Sequence, residues 1–143
     1  MRFLFLALQV NAIVQKSGEV FFASLPVRLW QEKYREPDLV FVKHGRSECK
    51  GYPEGADLVV EIVSQSVSDR RRDMKTKVTE YEQAAISEYW IVDPIHLQVL
   101  VYQLKDSRYE VTTFACGQIA TSVLIKDFEV DVSQLFAAAN DAV

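Results

Sequence analysis

Apolar residues fall along this chain in runs whose period changes from one stretch to the next. Residues 3–14 place Phe3, Ala7, Val10 and Val14 at the spacing of one helix face, which predicts a packed helix. With Arg2 in front, a leader peptide is the rival reading. Gln9 and Asn11 interrupt the apolar run, however, and it falls far short of the roughly 20 residues that span a bilayer. From Glu19 to Trp30 the apolar positions Phe21, Ala23, Leu25, Val27 and Leu29 alternate, predicting a first strand that bends or runs along an edge at Pro26. Two unbroken apolar runs follow, at 37–42 and 57–64, with a glycine-containing loop between them. A charged helical stretch then carries Met74, Val78, Tyr81 and Ala85 as its apolar stripe, and a third apolar run covers 88–94. Unbroken apolar strands on either side of a helix predict a buried parallel pair with a crossover. Residues 99–104 and 109–115 read as a hairpin, 119–125 as a short strand, and Ser133 as the cap of a helix over 134–139. The predicted class is α/β, a mixed sheet flanked by helices.

Composition narrows the picture. At 143 residues and 49% hydrophobic, the chain has material for one core, and five glycines and four prolines exclude a low-complexity chain. One domain over 1–143 is expected. The formal charge of −4 is not that of a protein that coats nucleic acid through its overall field, so any contact with phosphates must be local. Cys49 and Cys116 have no metal-ligand spacing and suit a reducing cytoplasm, and no stretch predicts a membrane span.

Glu61 stands in the middle of an apolar run, where an unmet carboxylate is costly. If the runs at 37–42 and 57–64 form an antiparallel hairpin, one register sets Asp38 opposite Glu61 and Val42 opposite Asp57. Facing residues have Cβ atoms about 4.5 to 5.5 Å apart, so two carboxylates would share one face and call for a divalent cation. Asp57 lies on that face, but four residues of strand, about 13 Å, remove it from the same coordination shell, and it stands as an additional acid of lesser role. On the following helix Lys77 borders the apolar stripe and is placed to reach the acids, while Lys75 projects toward water. Two acids and a lysine suit phosphodiester hydrolysis, in which a metal polarises the phosphate and activates water. Arg70, Arg71 and Arg72, at the unfavourable positive end of that helix, are candidate phosphate contacts, with compensation by Asp69 and Asp73 as the alternative. Lys43, Arg46 and Lys50 are weaker candidates in the glycine-containing loop. His44 and His96 lack a partnered nucleophile and read as structural or surface residues.

The residues Pro37-Asp38, the run from Asp57 to Ser64, Arg72-Asp73 with Lys77 and Tyr81, and the run from Glu88 to Pro94 resemble the Uma-two family of bacterial restriction-endonuclease-like proteins, within the PD-(D/E)xK nuclease superfamily. The resemblance implies a restriction-endonuclease-like core in which an antiparallel hairpin carries the acids. It further implies that Asp38 and Glu61 bind Mg²⁺ or Mn²⁺ and that Lys77 replaces the lysine usually found two residues after the glutamate, where this chain has Val63. DNA is the implied substrate and a homodimer the implied assembly. The chain departs from the family pattern at Gln65, where proline is common, at Ala85, where glycine is common, and in having no acid before Glu19. Its amino end is expected to be shorter than in other members. The leading expectation is a metal-dependent endodeoxyribonuclease. The alternatives are a noncatalytic DNA- or protein-binding module that keeps the nuclease fold, and an enzyme acting on RNA or another phosphodiester.

Overall fold

The computed structural model describes residues 1–22, 25–46, 48, 49, 51–63 and 66–141, with backbone alone at 48, 49, 67–69 and 71–73. In chain order the elements are α1 (Arg2–Gln15), β1 (Gly18–Phe22), β2 (Val27–Trp30), β3 (Lys33–Arg35), β4 (Leu39–Lys43), β5 (Glu48–Cys49), β6 (Tyr52–Pro53), β7 (Leu58–Ile62), α2 (Val67–Gln83), β8 (Glu88–Asp93), β9 (Gln98–Lys105), β10 (Arg108–Ala115), β11 (Ile119–Thr121), β12 (Glu129–Asp131) and α3 (Val132–Asp141). Six strands form one sheet in the order β1-β4-β7-β8-β9-β10. Only β7 and β8 are parallel, joined by the α2 crossover as the apolar runs predict; every other pairing in that sheet is antiparallel.

Strand alternation divides the core in two. Leu39, Phe41, Leu58 and Val60 face α1 and α3 with Trp90, Val92 and Phe128. Val40, Val42 and Val59 face the other way, toward Tyr81 of α2 and with Tyr89 and Ile91. By the same alternation Asp38 and Glu61 lie on the α2 side. The β9–β10 turn at Asp106 and Ser107 has φ of 48° and 65°, the pair of positive values of a type I′ turn, whose twist suits a two-residue hairpin.

Four expectations are corrected. The strand read over Glu19–Trp30 is two: β1 joins the main sheet while β2 pairs with β3, with Pro26, which has no N–H to give a ladder, between them. In α1 the buried face is Leu4, Leu8 and Ala12, not the face of Val10 and Val14, which are 59% and 70% exposed. The stretch 119–125 is strand only to Thr121, paired with β12, a strand that no periodicity announced. Asp131, not Ser133, caps α3: its Oδ1 accepts the Gln134 N–H at 3.0 Å, whereas Ser133 Oγ accepts from Gly117 N at 2.7 Å. Among the described residues no helix is long and apolar enough to cross a membrane.

Candidate active site

The hairpin register brings the two acids together. Leu39 pairs with Val60, Val40 with Val59 and Phe41 with Leu58, so one further step sets Asp38 opposite Glu61 at the open end of β4 and β7. Asp38 follows the buried Pro37, and its Oδ2 accepts the Ile62 N–H at 2.7 Å, which fixes the carboxylate across the strands. Glu61 is 8% exposed and is held from above by α2. Lys77 Nζ lies 3.1 Å from its Oε2, and the Tyr81 hydroxyl donates to its Oε1 at 2.9 Å. Lys77 and Tyr81 are four residues apart, so one turn of helix presents both groups to one carboxylate. Lys75 is exposed, as its position outside the stripe predicts.

Burial raises the Glu61 pKa; Lys77 and Tyr81 act against that rise, and the neighbouring Asp38 charge adds to it. Tyr81 is fully buried, and burial together with the Glu61 charge lifts its hydroxyl far above the usual phenol range. It therefore stays protonated and donates to Glu61. A cavity of about 130 Å³, room for several waters, opens beside these groups. Glu61, Lys77, Met74 and Arg70 are among its walls; Asp38 is not.

Other charged groups frame the site. Arg35 of β3 makes a two-pronged contact with Glu80 of α2 at 2.6 and 2.8 Å, and Lys33 reaches the same carboxylate at 2.9 Å. This ties the segment leading into Pro37-Asp38 to the helix carrying Lys77. Asp57 accepts from Arg46 at 2.6 and 3.1 Å and from the Lys43 N–H at 2.8 Å. Burial would raise the Asp57 pKa, but Arg46 and the Lys43 N–H outweigh it and hold the carboxyl below its ordinary value. The structure thus pairs Asp57 with the loop at the far end of the hairpin, and Arg46 with Asp57. Arg70 is buried and paired with Asp93 at the end of β8. Arg71, Arg72, Asp69 and Asp73 lie outside the described side chains, and Lys50 outside the described residues. Among the described residues no three His, Cys, Asp or Glu side chains gather into a metal-holding group.

A family model described as "Putative restriction endonuclease", Uma2, matches residues 2–133. The chain belongs to the Uma2 family. Uma2 membership agrees with a solved structure titled a "putative nuclease belonging to DUF820" from Anabaena variabilis ATCC 29413. That structure aligns over 93% of this chain and 75% of its own at TM-score 0.74 and 15% identity, and so shares the fold. No curated protein matches the sequence significantly. As a Uma2 protein the chain has a restriction-endonuclease-like nuclease fold, with Asp38 and Glu61 on the hairpin and Lys77 brought in from the helix. Sequence reading missed Glu88, whose Oε1 accepts the Trp90 indole N–H at 2.6 Å and whose Oε2 accepts the Val123 and Leu124 N–H groups at 3.1 Å each. An acid at the start of an apolar run was the available signal.

Proposed function

We propose that this Uma2 protein is an endonuclease that hydrolyses DNA phosphodiester bonds with the help of Mg²⁺ or Mn²⁺. The observation that supports it most is the Lys77 ammonium 3.1 Å from Glu61 beside a cavity, with Asp38 across the strands. The donor set suits a hard cation. Asp38 Oδ1 accepts no hydrogen bond among the described residues, and each Glu61 oxygen keeps a second lone pair beyond the one Lys77 or Tyr81 meets. Two carboxylates leave the rest of an octahedral shell to water and substrate phosphate, as is usual for Mg²⁺. Such an ion supplies Lewis acidity and a more acidic bound water. The chain's own residues do the rest. Asp38 and Glu61 orient, Tyr81 holds the Glu61 rotamer, and Lys77 faces the negative charge that develops on the phosphate.

The test combines Mn²⁺ calorimetry with plasmid nicking on wild type, Asp38→Asn and Glu61→Gln. Both variants should lose Mn²⁺ affinity and nicking. Wild-type affinity should rise with pH above the ordinary glutamate value of 4.5, because burial raises the Glu61 pKa and its proton competes with the ion. Wild type that takes up no Mn²⁺ at millimolar concentration would sink the metal reading. A second reading, a noncatalytic DNA- or protein-binding module that keeps the nuclease fold, is favoured by one observation: each Glu61 oxygen already has one partner, Lys77 or Tyr81, without a metal. DNA binding with no nicking would select it.

A further inference from the structure

A second cation lines the cavity beside Glu61. Arg70, Met74 and Lys77 stand at i, i+4 and i+7 on α2, and all three wall the same cavity as Glu61. Seven residues of helix separate the Cα atoms of Arg70 and Lys77 by roughly 10 Å along the axis, while both side chains reach the same cavity.

Arg70 is held but not used up. Its Nη2 pairs with Asp93 Oδ1 and lies 3.4 Å from His96 Nδ1. Its Nε and Nη1, which carry three of the five guanidinium N–H donors, make no hydrogen bond among the described residues. Asp93 is itself fixed by the turn after β8: it accepts the Ile95 and His96 N–H groups at 3.1 and 3.2 Å and lies 2.7 Å from His96 Nδ1. Asp93 is 2% exposed and Arg70 8% exposed, so the guanidinium is locked on a strand end that runs parallel to β7 beside Glu61. A guanidinium clamped through Nη2, with Nε and Nη1 donors left over and a cavity beside it, suits single hydrogen bonds to phosphate oxygens; both of its two-pronged faces include Nη2 and are taken by Asp93.

We propose that Arg70 grips a backbone phosphate of the nucleic-acid strand in this cleft, close to the phosphate that Lys77 faces, and that Asp93 is the positioning residue that aims it. The proposal rests on the nuclease reading above. Arg70 binds the substrate and takes no part in bond breaking.

Arg70→Gln, Arg70→Lys, Asp93→Asn and, as a control on the exposed side of α2, Lys75→Gln are compared with wild type. The readouts are fluorescence anisotropy on a 20-base-pair labelled duplex at 50 to 200 mM NaCl, nicking kinetics and melting. Over that fourfold salt range one phosphate contact contributes a factor of about 3.5 in affinity, so the wild-type loss should shrink by about that factor in Arg70→Gln. KM should rise more than kcat falls. Arg70→Lys should restore the salt slope but not the full affinity, since the charge returns without the fixed planar donors that Asp93 aims. Asp93→Asn should raise KM with the slope retained, and Lys75→Gln should leave KM unchanged. An Arg70→Gln protein that melts lower but keeps the wild-type salt slope and KM would show a purely structural ion pair and overturn the proposal. If Arg70→Gln does not fold, Arg70→Lys with wild-type Kd and KM overturns it equally. Wild type that neither binds nor nicks the duplex fails the nuclease reading instead, which keeps the two failures apart.

Discussion

Replacing Lys77 by alanine separates a catalytic lysine from a structural one, because the geometry limits how much stability the pair can hold. Deleting one partner of a fully buried ion pair costs about 3 to 5 kcal/mol. The Lys77 side chain is 32% exposed, however, and water screens it, while Tyr81 still donates to Glu61 after the change. The loss should therefore fall well below that range, on the order of 1 kcal/mol, close to what exposed pairs contribute. For a chain of this size that is a drop in Tm of roughly 3 to 5 °C. Cleavage should fall much further, by about 10² to 10³, the scale for removing one preorganised contact to a transition state. Losing the Lys77 charge also removes the main influence that opposes the raised Glu61 pKa, so Mn²⁺ binding should need a higher pH than in wild type. Single-turnover plasmid nicking, melting curves and Mn²⁺ titration at pH 5 to 8 measure the three effects on one preparation. A fall in Tm of more than 10 °C with nicking reduced no more than the folded fraction would refute the reasoning and leave Lys77 a structural partner of Glu61.

Three further outcomes follow from the same structure. Tyr81→Phe leaves a buried Glu61 oxygen without its donor, so stability should fall by about 1 to 3 kcal/mol in urea melts, and Mn²⁺ binding should shift to higher pH. Asp57→Asn should cost roughly 1 to 2 kcal/mol at neutral pH and leave Mn²⁺ affinity unchanged. Because the folded Asp57 pKa lies below the ordinary 3.8, that stabilisation is present above 3.8 and disappears as pH falls through the folded value, so melting curves of the two proteins should converge in acid. Ala85, just past the Ala84 cap of α2, has φ 56°, a left-handed conformation that costs an L-residue about 1 kcal/mol or more. Ala85→Gly should raise stability by roughly 0.5 kcal/mol after the greater freedom of glycine in the unfolded chain is counted, with an unchanged m-value.

Local sequence determined what depends on short periods and on unusual residues in apolar runs. Two unbroken runs around a helical stretch fixed the parallel β7–β8 pair, because only a crossover joins parallel strands. The acids Asp38, Asp57 and Glu61 in two adjoining runs suggested a hairpin register that sets Asp38 against Glu61, and the strand pairing of the closed sheet bears that register out. The apolar stripe of α2 separated Lys77 from Lys75 by the same reasoning. Where a segment is apolar on nearly every side, periodicity selects no face. The choice of Leu4, Leu8 and Ala12 over Val10 and Val14 in α1 was made by the sheet and α3 packing against it. The partners that hold the site could not be read locally either. Arg35 with Glu80 and Arg70 with Asp93 lie 45 and 23 positions apart, Asp57 takes Arg46 from the intervening loop, and β12 pairs with β11 without a periodicity of its own. Charges on loops and helix ends have many partners of equal local merit. Only the closed fold decides which of them meet, because burial makes an unpaired charge too costly to leave.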